Sequence, residues 1–208
     1  MQPISTETPI VFIIEDDVEV ADAIAAVCES QQWTVTHFRT AEDFIATDSR
    51  SQLGCLVLDL RLPGLSGLEL QSRLLKAGST LPVILVSGYA DVDSAVAGMR
   101  NGAITLLQKP FDSSQLIAAI QEALTIVKQH AAEQAARSHH AQLVAALNRS
   151  ELETAELIVA GKSNKQIAAI QGLSLRGVED RRSRLMKHFG TRSLAEFVSV
   201  VKAAMIRD

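Results

Sequence analysis

The chain has 208 residues, 47% of them apolar and 21% charged. This is an ordinary globular balance, with room for two modest cores and no tract near the roughly 18 apolar residues that cross a bilayer. The net charge of −4 is uneven: residues 1–146 carry 9 Lys+Arg against 17 Asp+Glu, and residues 147–208 carry 11 against 7. An acidic part and a basic part are expected to do different work, the basic one toward nucleic acid. The N-terminus, MQPISTETPIVFII, has no basic stretch before its apolar run and makes a poor signal peptide. Cys28 and Cys55 both sit in apolar segments and are read as buried thiols. Both features are consistent with a reducing cytoplasm and no membrane attachment.

Residues 10–14, IVFII, form a near-continuous β-branched run, as expected of a strand buried on both faces. Helical spacing follows over 19–30. A weaker strand is expected at 34–38, a short helix at 41–45, a third strand at 55–58 and a helix at 67–77. A fourth strand spans 83–86, with Pro82 at its permissible start. Residues 94–100 read as helix and 104–107 as a fifth strand. Asp112-x-x-Gln115 opens the next helix with capping-box spacing. Strands alternating with helices give an α/β domain with a doubly wound, flavodoxin-like five-strand parallel sheet, whose ligand site lies beyond the C-terminal strand ends.

From about 113 to 146 the chain has neither Pro nor Gly and reads as one long helix. Its part 128–142, KQHAAEQAARSHHAQ, is too polar for a core. His139-His140 lacks a spaced ligand partner and is read as a solvated linker face. The remaining residues are expected to be all-helical, with start signals at Ser150-x-x-Glu153, Ser163-x-x-Gln166, Ser174 and Ser193-x-x-Glu196. The expected organisation is a first domain over 1–127, a helical linker over 128–146 continuing its last helix, and an all-α domain over 147–208.

Acidic residues stand where the strands end. Glu15, Asp16 and Asp17 follow the first strand and Asp59 the third, while Ser87 ends the fourth and Lys109 follows the fifth. Clustered carboxylates without Cys or His suit a hard, oxygen-seeking cation, best Mg²⁺. A lysine and a hydroxyl opposite them suit a phosphoryl group. A carboxylate attacking a phosphoryl group is an anion attacking an anion, so cations must offset the charge. The product would be an aspartyl phosphate at Asp59.

IIEDD, LVLDLRLPGLSGLEL, VILVSGYADVDSAVAGMRNGA and LLQKPF resemble the receiver domain of two-component response regulators over about residues 9–127. The resemblance implies that Asp59 accepts phosphate from the phosphohistidine of a sensor histidine kinase. It implies Mg²⁺ bound by Asp16 and Asp59, with Glu15 helping through water and the Arg61 backbone carbonyl as a further ligand. Ser87 and Lys109 would meet the phosphate, and the Lys109–Pro110 bond would be cis. Two positions depart from the pattern. Glu15 stands where Asp is commoner, and Leu106 stands in place of the switch aromatic. Tyr89 is a second candidate to report the change.

Residues 164–188 read as helix, turn at Gly172, helix. An apolar stripe at Val178, Leu185, Met186 and Phe189 leaves Arg176, Glu179, Asp180, Ser183, Arg184 and Lys187 facing outward, with Arg181 and Arg182 at its flanks. Basic and small polar groups on a helix fit phosphates and base edges of the major groove. NKQIA, the S-x-R-x-V-E start and RSLAEFV resemble the LuxR-type (FixJ/NarL-like) DNA-binding domain over about residues 147–206. By that resemblance Lys165 and Arg182 touch phosphates, and Glu179, Asp180 and Ser183 reach base edges. Gly177 stands where Thr is usual, and Arg181 where His is common.

Together these imply a transcription regulator switched by phosphorylation, partnered by a kinase and double-stranded DNA and homodimeric when phosphorylated. Dimer contacts are expected near the fifth strand or along Leu194–Met205. It is not expected to be an enzyme beyond slow loss of its own phosphate. A phosphatase of the same carboxylate type needs an acid two residues after its nucleophile, and Arg61 stands there. Two alternatives stay open: a receiver acting on a protein partner, for which Gly177 and Asp180 speak, and a regulator independent of phosphorylation, for which Leu106 speaks.

Overall fold

A computed structural model of the chain describes residues 9–47, 53–88 and 92–205. The chain divides into two compact units, 1–131 and 132–208. The division falls inside the stretch read as a linker.

Among the described residues of the first unit, five strands and five helices alternate: β1 (Ile10–Ile14), α1 (Val18–Ser30), β2 (Thr34–Phe38), α2 (Ala41–Ala46), β3 (Gly54–Asp59), α3 (Gly67–Lys76), β4 (Val83–Ser87), α4 (Val92–Arg100), β5 (Thr105–Gln108) and the first part of α5 (Ser113–Ala145). The strands form one parallel sheet in the order β2-β1-β3-β4-β5. Asp59 is therefore the last residue of β3 rather than the first beyond it, and Ser87 closes β4.

Side chains alternate across the pleat. Val11, Ile13, Val57, Ile84 and Val86 face α1 and α5, where Ile24, Cys28, Leu116 and Ile120 cover them. Phe12, Ile14, Leu56, Leu58 and Leu85 face the other side, against Phe44, Leu70 and Leu74. All these strand side chains are sealed from solvent. Each large one contributes about 1.5–3 kcal/mol by its burial. The cysteines are free, buried thiols in the first of these layers, and burial pushes them up to about 11 at Cys28 and about 12 at Cys55.

Among its described residues the second unit holds the end of α5 and four helices: α6 (Arg149–Val159), α7 (Asn164–Gln171), α8 (Leu175–His188) and α9 (Leu194–Met205). Its core is Ala155, Ile158, Ile167, Val178, Leu185, Phe189, Phe197 and Val201. Leu143 and Val144, in the last turn of α5, pack on that core, and Leu147 joins them. The last residues of the expected linker thus belong structurally to the helical unit.

Ser163 closes a capping box with Gln166, and Ser174 caps α8 through the Gly177 N–H. Ser150 is not the cap of α6. Asn148 is, in a box with Glu151, and Ser150 lies inside the helix. Among the described residues, no helix is long and apolar enough to cross a membrane.

Candidate functional site

Parallel strands deliver their C-terminal residues to one edge of the sheet, and β1, β3, β4 and β5 lie side by side there. Glu15, Asp16 and Asp59 meet at this edge, with one oxygen of each within 4.8 Å of the others. Glu15 and Asp59 are buried, at 1% and 6% exposure, and Asp16 is half-buried. Asp17 does not join them. Its carboxylate caps α1, accepting from the Glu19 and Val20 N–H groups.

Both oxygens of Asp59 are held. Oδ1 accepts the Arg61 N–H at 2.9 Å, and Oδ2 accepts the Lys109 ammonium at 2.7 Å. The same ammonium donates to Glu15 Oε2 at 2.5 Å. Lys109 is placed by its own backbone, whose N–H donates to the Ser87 carbonyl at 2.8 Å, and the bond to Pro110 that follows is cis. Ser87 is fully buried at the end of β4. Behind β1, the His37 Nε2 donates to the Glu15 carbonyl at 2.8 Å.

The electrostatics follow from burial. Loss of water pushes the Glu15 carboxyl up to about 7; the Lys109 hydrogen bond opposes this, and the Asp59 charge adds to it. Burial alone disfavours the Lys109 ammonium, but the bonds to Asp59 and Glu15 outweigh it and hold its pKa above the ordinary value. The three carboxylates form an all-oxygen donor set, which fits Mg²⁺ and offers a soft metal nothing.

The segment after Asp59 is fixed by two contacts. Glu42 Oε1 accepts the Leu65 N–H at 2.9 Å. Gly67, the first residue of α3, comes so close to the Asp59 carbonyl oxygen that a Cβ there would collide with it. Leu106 is half-buried and packs on the apolar layer that contains Leu85 and Ala103. Tyr89 lies outside the described residues.

Beside Lys109, α1 and the start of α5 bound an apolar cleft of about 520 Å³ lined by Val20, Ile24, Pro110 and Phe111. Sequence reasoning did not find it, because it arises from how two chain-distant elements approach each other.

On α8, Arg176, Glu179, Asp180, Ser183, Arg184 and Lys187 are exposed, and Arg182 is half-buried. Lys165 is exposed on α7. Asn164, Glu179, Arg182, Ser183, Met186 and Lys187 line one cleft of about 470 Å³. Arg182 donates to the Asn164 Oδ1 at 2.5 Å, tying α8 to the start of α7. The α7–α8 turn is made by Gly172, whose φ of 65° is the left-handed conformation that glycine adopts without strain.

Residues 11–121 match the family described as response regulator receiver domain, and residues 145–201 match the bacterial regulatory proteins of the luxR family. FixJ of Azorhizobium caulinodans is 36% identical, over 93% of this chain and 92% of its own. The chain belongs to the two-component response regulators. The transcriptional regulatory protein TdiR of Thauera aromatica is 34% identical, over 92% of this chain and 84% of its own. Among solved structures, response regulator StyR aligns with a TM-score of 0.80 at 32% identity, covering 94% of this chain and 98% of that one. Full-length FixJ from B. japonicum aligns with a TM-score of 0.58 at 33% identity, covering 97% and 100%.

In this response regulator the receiver fold is the five-strand sheet, and the output domain carries a LuxR-type helix-turn-helix over α7 and α8. Of the predicted site residues, Glu15, Asp16, Asp59 and Lys109 converge, and Ser87 ends the neighbouring strand. Arg61 contributes its N–H to Asp59.

Proposed function

We propose that the chain regulates transcription by binding double-stranded DNA, switched by phosphorylation of Asp59. The observation that carries the switch is Lys109, whose ammonium joins Asp59 Oδ2 and Glu15 Oε2 at the strand ends, and the luxR-family match over residues 145–201 supports the DNA-binding output. A lysine so placed supplies a cation beside the buried Asp59 carboxylate, where an incoming phosphoryl group adds charge.

In the proposed step an Asp59 oxygen bonds to phosphorus while the phosphorus–nitrogen bond of the kinase phosphohistidine breaks, and the imidazole, already protonated on its other ring nitrogen, leaves as the neutral base. Asp16, Asp59 and the Arg61 carbonyl would hold Mg²⁺, with Glu15 assisting through water. When bound, that ion offsets negative charge on the phosphoryl oxygens. Ser87 and Lys109 then meet the phosphate. The apolar cleft beside Lys109 offers a kinase a surface next to the acceptor. The phosphate leaves slowly by hydrolysis and the chain turns over no other substrate.

Aspartyl phosphate shifts the receiver between states, and pairing of two phosphorylated chains brings two α8 helices to half-sites about one helical turn apart. We assign it to the cytoplasm, where kinase domain and chromosome meet. Intact mass after incubation with acetyl phosphate and Mg²⁺ tests the chemistry. Wild type should gain one phosphoryl mass and Asp59→Asn none. Equal binding of treated wild type and Asp59→Asn to DNA would remove the switch from the proposal.

A further inference from the structure

Arg181 lies three residues after Val178 and four before Leu185, both buried, so it borders the inward stripe of α8 and is half-buried. A guanidinium cannot be neutralised there and must find acceptors. It finds them at the junction of three helices. Its Nη1 donates to Ser150 Oγ at 2.7 Å and lies 3.3 Å from Thr154 Oγ1, 3.4 Å from the Ser150 carbonyl and 3.4 Å from Gln171 Oε1. Thr154 is fully buried, and its hydroxyl also contacts Gln171 Oε1 at 2.8 Å. Gln171 is the last residue of α7, directly before the turn at Gly172. One nitrogen thus ties the first turn of α6 and the end of α7 to the middle of α8. Arg182, the next residue, bonds Asn164 at the other end of α7.

We infer that Arg181 is a positioning residue for DNA recognition. Through Ser150, Thr154 and Gln171 it sets the rotation and tilt with which α8 presents Arg176, Glu179, Asp180 and Ser183, and it contacts no phosphate itself. The inference rests on the DNA-binding reading above. Base-edge contacts depend steeply on this presentation, whereas attraction to the phosphate backbone depends mainly on exposed charge. Loss of the clamp should therefore lower sequence discrimination and leave electrostatic attachment intact.

The test uses the full chain treated with acetyl phosphate and Mg²⁺, and two probes: a duplex enriched by wild type from a random-sequence pool, and sonicated mixed-sequence duplex DNA. Arg181→Leu should weaken binding to the enriched duplex about tenfold or more, the size of one good base-edge contact. Its binding to mixed-sequence DNA should stay within about twofold, and its log Kd against log salt slope should match wild type. Ser150→Ala, which removes the nearest acceptor and lies on α6 rather than α8, should move in the same direction, and Arg181→Lys should recover part of the loss. If Arg181→Leu lacks a cooperative unfolding transition, Ser150→Ala decides the matter. A salt slope lowered by about 0.9 in Arg181→Leu, with Ser150→Ala unchanged, would make Arg181 a direct phosphate contact and overturn the inference. Unchanged discrimination in both variants would also overturn it. If wild type enriches no sequence and binds neither probe, the DNA-binding reading itself falls, an outcome distinct from failure of the variants to differ.

Discussion

The Lys109 ammonium lies 2.5 Å from Glu15 Oε2, a contact between side chains 94 residues apart that bridges the ends of β5 and β1. Glu15 has almost no contact with solvent, so this lysine is its principal source of compensation. Removing it leaves Glu15 and Asp59 as two buried carboxyls side by side. Lys109→Met should lower stability by about 1–3 kcal/mol in metal-free buffer, the cost of stranding a buried polar partner. Millimolar Mg²⁺ should restore part of that loss, because the ion binds the folded state and replaces the missing cation. Urea denaturation with and without Mg²⁺ reads both effects. No gain in stability on adding Mg²⁺, in wild type or in Lys109→Met, would mean that the carboxylates do not hold the ion.

The same burial gives a pH dependence. An unfolded Glu15 releases its proton near the ordinary value of 4.5, whereas the folded one keeps it to about 7. Between those values the folded chain binds more protons at this site than the unfolded chain. Stability from Glu15 therefore falls as pH rises from about 4.5 to about 7 and levels off above. Denaturation at several pH values in metal-free buffer, wild type minus Glu15→Gln, should show that decline. A flat difference would show that Glu15 titrates alike in both states.

Gly67 and Gly88 make a contrast. A Cβ on Gly67 collides with the Asp59 carbonyl, while one on Gly88 meets nothing within 4 Å. Gly67→Ala should cost about 1–3 kcal/mol as the end of β3 and the start of α3 are pushed apart. It should also slow labelling of Asp59 by acetyl phosphate, because it displaces the acceptor's own backbone. Gly88→Ala should stay within about 0.5 kcal/mol of wild type. Thermal unfolding and mass-detected labelling of the two variants measure this.

The thiols offer a simple probe of the core. Cys28 and Cys55 are both buried, with pKa values pushed to about 11 and about 12. Little thiolate forms at neutral pH and none of it is accessible. A thiol reagent should leave both untouched in the native chain and modify both in denaturant. Rapid native labelling of either one would mean that the layer under α1 opens readily.

Much of this molecule was legible in its sequence because the decisive signals are local. The run Ile10–Ile14 has no polar face and must be a central strand; Asp59 and Lys109 directly adjoin such runs, so a parallel sheet brings them to one edge. Asn148 and Ser150 show where local reading fails. Both precede a glutamate by three residues, so both fit a capping box. The chain uses Asn148, and Glu153 instead pairs with Arg149 at 3.1 Å along the exposed face of α6. The Arg181 network was illegible for a different reason. Its acceptors lie 10 to 31 residues away, and only the packing of three helices brings them together.

Asp180 sits exposed on α8 between the exposed Glu179 and the basic cluster of Arg182, Arg184 and Lys187. A carboxylate there repels phosphate at every DNA sequence and gains only where it accepts from a cytosine amino group. Asp180→Asn removes the repulsion and keeps the shape. Binding to mixed-sequence duplex should therefore tighten about two- to fivefold at low salt, with the gain fading as salt screens the charge. Binding to a duplex enriched by wild type should tighten less, or weaken, if Asp180 reads a cytosine there. Fluorescence anisotropy with both duplexes across a salt series separates the two effects. A gain equal on both duplexes would assign Asp180 no part in reading sequence, and no gain on either would place it away from the DNA altogether.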